Sequence, residues 1–593
     1  MKRNLILIGA ILILILTYVF FPRSVEQGVL VNSDSTYSTI YVDGKLKKFR
    51  GASDFPKLSV LDFKYNLIKA YSFKCLTPLT ERIMTKEAST YDLEKSGKAS
   101  LSAKANFYKI DASNSINPAA AKDVIVGKSN VKYVKNSKGE LKTFLIYPMD
   151  FSKMRVAIST TNFSSFYHKK TEIKCEAPAK LYSKRDNFSI DLPKDSLVVI
   201  EPSESKLNVT VNNKTNSYSN RVYLSGDSLK VENIVRGIPS FIPTYSGTLE
   251  FTNISQSICM INEVDLEEYL RKVVPSEMPL SGGIEALKCQ AVAARTYAIS
   301  DMLLNRFSKL GFYVDDSTQS QVYNNIATQT LSDQAVNATK GQILTYKGSP
   351  IDAKYYSTSS GTGVNYNDIW FNADGSSEDR PYLVTNNYLT PKKELPNTEA
   401  GWLKYYKDNN VAALDSNYPY FRWRVEFSNQ GITNTINKSL KTIYSKKKDF
   451  ITIKQNSKEL SEPIELKELK EVKITKRSEG GNALEVSFIF SNAELYVKGD
   501  SSIRSILKCN SEYSNEATTL YRHKGDQLTN VTFLPSSFFS VEKSNDKFTI
   551  YGGGYGHGVG MSQYGAIELS KKGTKYTDIL NTFYKGVKLD KLY

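Results

Sequence analysis

Apolar residues run almost without interruption from Leu5 to Phe21, broken by Gly9, Ala10, Thr17 and Tyr18, and the run follows Lys2 and Arg3 and stops at Pro22-Arg23. Its length approaches the roughly 20 residues a spanning helix needs, and no small-residue A-x-A pattern follows. This predicts an uncleaved, single-pass membrane anchor. Positive charge before the helix places the amino end in the cytoplasm and everything after it outside the cell. From Ser24 to about Met154, short alternating stretches are separated by turn signals such as Val42-Asp43-Gly44 and Asn136-Ser137-Lys138-Gly139, which predicts strands. Strand patterning continues from Arg155 to about Ile261, for example in 205–211 and 222–231.

The pattern changes at Asp265, where Leu266, Tyr269 and Leu270 recur at helical spacing and Pro275 is expected to end the short helix. After Ser281-Gly282-Gly283, the stretch Ile284 to Leu304 is rich in Ala and free of Gly and Pro, and predicts the main helix outside the anchor. From about Ala400 to Thr549 Lys-rich alternating segments return, such as Ile451-Thr452-Ile453 and Leu484 to Phe488. A glycine-rich loop and a helix ending in Ile579 to Tyr584 close the chain, and no repeat of 20–50 residues is present. The expected fold class is α+β: β-rich amino-terminal and inserted regions around a mixed α/β core, preceded by one transmembrane helix. The expected divisions are 1–23 for the anchor, 24–154 for a β-rich domain of unassigned role, and 155–593 for the rest. Within the last, the core occupies 262–390, a β-rich segment 400–549, and the glycine-rich motif with the final helix 550–593.

Composition narrows the class. With 593 residues, 40% of them hydrophobic and 38 of them Tyr, the chain is a folded protein of several structural units. The charge balance, 78 − 61 = +17, attracts anionic polymers. For an exported chain those are surface polymers and lipid headgroups in place of nucleic acid. Five cysteines, Cys75, Cys175, Cys259, Cys289 and Cys509, and three histidines, His168, His523 and His557, are widely separated. No metal-ligand spacing results, so neither metal nor cofactor is expected, and the odd cysteine count leaves at least one free thiol.

Chemistry concentrates in two places. In Val274-Pro-Ser-Glu277-Met-Pro279 one carboxylate lies between two prolines, ahead of the Ala-rich helix. It reads either as a carboxylate rigidly held for catalysis or as a favourable charge near a helix N-terminus. On the following helix Gln290 and Tyr297 are seven apart and share a face among small Ala neighbours, fit either to floor a groove or to pack closely. Arg295, on another face, serves a core carboxylate or a substrate. The stretch Tyr551 to Gly565 is dense in glycine around His557 and Gln563, without any phosphate-loop register. It is either a loop that delivers those two side chains to a distant site or a tight turn.

Together the segments resemble one family. Leu266-Glu-Glu-Tyr-Leu-Arg-Lys-Val-Val-Pro-Ser-Glu277-Met-Pro, Glu285-Ala-Leu-Lys-Cys-Gln290-Ala-Val-Ala-Ala-Arg295-Thr-Tyr297, Gln321-Val-Tyr323, Tyr356-Ser-Thr-Ser359-Ser360-Gly361 and Gly556-His557-Gly-Val-Gly-Met-Ser562-Gln563-Tyr-Gly are similar to the signature of the stage II sporulation protein D (SpoIID) and LytB family, in the family's order. The resemblance covers about Arg155 to Tyr593. It implies a peptidoglycan lytic transglycosylase that cleaves glycan strands between MurNAc and GlcNAc to leave 1,6-anhydro-MurNAc, in wall remodelling and sporulation, with Glu277 as acid/base. It further implies substrate contacts from Gln290, Arg295, Tyr297, Gln321, Tyr323, Ser359, Ser360, His557, Ser562 and Gln563. The implied partners are glycan strands and a cell-wall amidase, since LytB relatives are described as amidase enhancers; a non-catalytic enhancer is thus the second reading. Where some sporulation members bind zinc through a His-Cys pair, this chain has Gln319-Ser320, preceded by Asp315-Asp316, and the family's Ser-Gly-Gly is Ser360-Gly361-Thr362.

Overall fold

A computed structural model describes residues 2–592, with side chains from residue 6. Ten helices occur among the described residues: α1 (Lys2–Phe20), α2 (Leu266–Glu277), α3 (Gly283–Leu304), α4 (Thr330–Ala338), α5 (Glu399–Lys407), α6 (Asn429–Lys447), α7 (Asp500–Ile506), α8 (Ser511–Ser514), α9 (Gln563–Lys571) and α10 (Tyr576–Phe583). Strands outnumber them throughout, so the molecule is a strand-rich α+β protein. It divides into two compact units: one runs from the amino end to Val273 and includes Ala298–Ala327, the other holds Val274–Tyr297 and everything from Thr328 on.

The apolar run at the amino end does fold as the helix α1. Its described side chains, Ile6, Leu12, Leu16 and Phe20 among them, lie exposed on every face. Among the described residues no helix is long and apolar enough to cross a membrane.

The first unit is built from three sheets. Residues 23–76 form a five-stranded antiparallel sheet, residues 83–146 a six-stranded one with a parallel pair of Gly97–Ile110 and Leu141–Ile146, and residues 153–265 with Val314–Asp315 a twelve-stranded one. Charged side chains tie the sheets together. Arg82 donates to Glu94 and, at 2.9 Å, to Glu263; Glu263 also takes Arg155 at 2.6 Å; Arg155 reaches Glu250 at 2.9 Å, and Arg221 joins Glu250 to Asp92. Buried charges persist only when paired in this way. The Glu94 carboxyl is held down at about 2, because the cost of burial is outweighed by Arg82 and Lys184.

In the second unit, strands Trp423–Ser428 and Lys547–Gly552 lie within one five-stranded sheet, and strands Ile451–Gln455 and Ala483–Phe490 within another. The side chains of Ile432, Ile436, Leu440 and Ile443 on α6 join the core between them. The segment 400–549, expected to be β-rich, therefore carries helices as well. The four positions repeat at helical spacing, and the Ser428 hydroxyl caps the helix by accepting from the Gly431 N–H.

Two local expectations are corrected at α2 and α3. Pro275 does not end α2, which continues to Glu277. A proline removes one N–H and hence one hydrogen bond, but near the last turn the ladder re-forms beyond it: the Met278 N–H donates to the Val274 carbonyl at 3.0 Å. The Ala-rich helix α3 forms over nearly the expected residues, and from Cys289 to Ile299 every position is buried.

Candidate active site of the second unit

Glu277 is the last residue of α2, half-buried, and is followed by a short 3-10 turn before α3 begins at Gly283. The position bears on the two readings of this carboxylate. A negative charge gains from a helix dipole at the amino end of a helix and gains nothing at the carboxyl end. Glu277 therefore gains nothing from the dipole of α2 itself.

Gln563 brings three remote stretches of chain to one point. Its side-chain amide, at the start of α9, donates to the Glu277 backbone carbonyl at 3.0 Å and to the Gln290 side-chain oxygen at 3.3 Å. The start of α9 is fixed in turn: the Ser562 hydroxyl accepts from the Gly565 N–H at 3.1 Å and donates to Asp415 at 2.8 Å. Asp415 also accepts from the Ser359 N–H and hydroxyl, both at 2.6 Å. This carboxylate is fully buried, and burial raises its proton affinity against the pull of those hydrogen bonds. Ser360 is held through its carbonyl, which accepts from Arg422 and from the Tyr405 hydroxyl, each at 2.9 Å. Thr362, standing where the family has glycine, donates its hydroxyl to the Gly480 carbonyl at 2.6 Å, so the substitution adds a tie instead of opening the turn.

The glycine-rich loop places His557 beside Trp370, ring centroids 4.9 Å apart, and Tyr356, 5.7 Å. Gly554, Gly556, Gly558 and Gly560 all adopt positive φ. At Gly560 a β-carbon would stand 2.1 Å from the Lys354 carbonyl, so only glycine fits the parallel pairing of Tyr355–Tyr356 with Met561–Ser562. His557 Nδ1 accepts from the Val559 N–H at 3.1 Å. Burial, and then the positive Lys354 and Arg504, push its pKa far below the ordinary imidazole range. His557 is thus a neutral, oriented ring. The Lys354 ammonium lies 4.5 Å from the Tyr297 ring and 5.2 Å from Trp370, and so connects the α3 face to the glycine-rich loop.

Other expected contacts fall elsewhere. Arg295 is fully buried and donates to the Gln342 carbonyl at 3.1 Å and the Val336 carbonyl at 3.4 Å. Gln321 and Tyr323 belong to the first unit, fully buried. There Gln321 accepts from the Tyr269 hydroxyl and Tyr323 donates to Asn262, each at 3.0 Å. Gln290, Ser359, Ser360 and Ser562 are likewise buried, and frame the site from behind. Asp415, Trp370 and Lys354 escaped the sequence reading. Asp415 lies in an ordinary turn-like stretch, and nothing in its neighbours marks it as buried. Asp316, upstream of Gln319-Ser320, is paired with Arg236 at 2.6 Å, and Asp315 accepts from Ser317 and Ser320. Among the described residues no three His, Cys, Asp or Glu side chains gather as a metal's ligand set.

Residues 255–346 match the SpoIID family, described as stage II sporulation protein. The amidase enhancer of Bacillus subtilis (strain 168) is 31% identical over 324 residues, 54% of this chain and 40% of that protein. Stage II sporulation protein D of Bacillus amyloliquefaciens is 28% identical over 341 residues, 55% of this chain and 74% of the relative, and its Bacillus subtilis counterpart 27% over 344 residues, 56% and 75%. The chain thus spans less than half of the amidase enhancer's length. The family match contains Glu277, Gln290, Arg295, Tyr297, Gln321 and Tyr323, so the chain carries a region similar to SpoIID and, over more than half of its length, is similar to stage II sporulation protein D and to an amidase enhancer.

Proposed function

We propose that the protein is a peptidoglycan lytic transglycosylase with Glu277 as its acid/base. The observation that carries this reading is the Gln563 clamp, which fixes the backbone of a half-buried carboxylate and ties it to Gln290. One carboxylate is enough for this reaction. Glu277 protonates the glycosidic oxygen as the bond to the anomeric carbon breaks, the C6 hydroxyl of the same muramic acid attacks that carbon, and the resulting carboxylate takes the hydroxyl proton. No water is activated, so the second carboxylate of hydrolytic glycosidases, about 5–5.5 or 6.5–9.5 Å away, is not needed. His557, neutral and aromatic-lined, orients sugar in this scheme and transfers no proton.

The second reading is an amidase enhancer, favoured by the printed name of the Bacillus subtilis relative. Membrane attachment through α1, with the bulk outside the cell, belongs to the same proposal; its support is the exposed apolar surface of that helix. Incubating the full-length protein with purified glycan strands tests the main reading. Anhydro-muramoyl ends, detected by mass spectrometry, are expected. Intact strands together with a stimulated amidase would replace the enzyme by the enhancer.

A further inference from the structure

The second unit contains a groove of about 520 Å³ bounded by residues 366–378 on one side and by the end of α6 and the start of α7 on the other. We propose that this groove is a saccharide subsite in which Trp370 is the stacking platform, an inference that rests on the glycan reading above. Its volume falls within the roughly 300–1,000 Å³ of small-ligand sites. Trp370 is half-buried, whereas Trp402 and Trp423 are 3% exposed, so only this tryptophan presents an edge or face to solvent. Tyr366 stacks on it with centroids 4.8 Å apart and holds the plane of the indole, and His557 meets it edge-on. On the far side Phe371 and Phe450 lie 5.9 Å apart. Gly499 lies between those two rings: a β-carbon there would come within 3.3 Å of Phe450 and 3.9 Å of Phe371.

Two ion pairs and one lysine, Lys447, which donates to the Ser501 hydroxyl, supply the charges of the groove. Arg504 pairs with Asp500 at 3.3 Å, and Arg380, over the Tyr366 ring, pairs with Glu378. What the groove offers a ligand is an aromatic floor and short polar side chains such as Asn372, Ser376 and Ser501 at the rim. That is the complement of a neutral N-acetylhexosamine, with one apolar C–H face and hydroxyl and acetamide groups around its edge. Lys354 lies over both Trp370 and Tyr297, and so packs the wall of the groove against α3.

Titration of the full-length protein with a soluble N-acetylglucosamine oligomer, followed by tryptophan emission and calorimetry, tests the subsite. The wild type should bind with a shift in emission. Trp370→Ala should bind roughly tenfold more weakly, and Trp370→Phe, which keeps a ring, should recover most of the affinity. Phe450→Ala, on the opposite wall, gives an independent reading should Trp370→Ala fail to fold. Unchanged affinity in both Trp370→Ala and Phe450→Ala, beside a binding wild type, overturns the subsite and leaves the Glu277 reading standing. No binding by the wild type overturns both. Normal sugar binding in Trp370→Ala with lost stimulation of an amidase makes the groove a protein-docking surface and also overturns the subsite.

Discussion

At the scale of single residues the proposal depends on one proton. Glu277→Gln keeps size and polarity and cannot deliver it, so formation of anhydro ends should fall at least 10²–10⁴-fold, roughly the contribution of general acid–base catalysis. Because Glu277 ends α2, neutralising it should leave the melting temperature unchanged or slightly raised, where a capping role would have lowered it. Near-normal cleavage by this variant would remove Glu277 from the mechanism. Asp415 acts through others: it binds Ser359 and Ser562, and Ser562 starts the helix that carries Gln563. Asn at 415 can accept at only one oxygen and turns a donor toward the remaining hydroxyl or N–H. Asp415→Asn should cost about 1–3 kcal/mol in denaturant unfolding and lower kcat more than KM; a fall in stability with unchanged kcat would make it a purely structural residue. His557, being neutral, contributes no titration to activity near pH 7. A His557→Gln variant should therefore keep the shape of the pH profile while losing rate.

At the scale of elements, the loop and the sheets make separate predictions. Gly560→Ala sets a β-carbon against the Lys354 backbone in a left-handed conformation, so loop and parallel pairing should both be lost, with a drop of several kcal/mol in stability and no detectable turnover. A soluble variant with normal melting would show that the loop can reroute. In the first unit, Glu94 has a folded pKa near 2 against an ordinary 4.5. A depressed carboxyl stabilises the fold above its unfolded pKa, and that contribution is lost as pH falls through the folded value. Thermal melts of the wild type should therefore decline between about pH 5 and pH 2 by a few kcal/mol, and Glu94→Gln should flatten that decline while lowering stability at pH 7. The helix α6 shows what a sequence can reveal when read at the right period. Ser428 and the spacing of Ile432, Ile436, Leu440 and Ile443 were present, but Lys-rich alternation on either side masked them. The strands of residues 24–261 and the helix α3 were legible because their periodicity is uninterrupted. The end of α2 was not, since a proline near the carboxyl end of a helix is tolerated by the geometry of its last turn.

At the scale of the whole molecule, the sequence revealed the frame of the site better than its surface. Gln290, Ser359 and Ser562 are recognisable in the chain because their packing leaves little choice of residue, and for the same reason they are buried. The side chains that face solvent, Trp370 and Lys354, sit in stretches without periodic pattern, and Asp415 is defined only by partners more than fifty residues away. Topology is a property of the whole chain as well. If α1 anchors the protein, protease added to intact protoplasts should digest its bulk and leave a short membrane-held fragment, and full protection would reverse the orientation. All five cysteines are free thiols, and only Cys75, in the strand at one edge of the first sheet, is exposed. Burial lifts Cys175 to about 11, Cys259 and Cys509 to about 12, and Cys289 well above the ordinary thiol range, so these four stay protonated and shielded. The natural chain thus arrives with a single attachment point. A maleimide dye or spin label should take up one equivalent without any engineering, and report from a fixed address on the first unit.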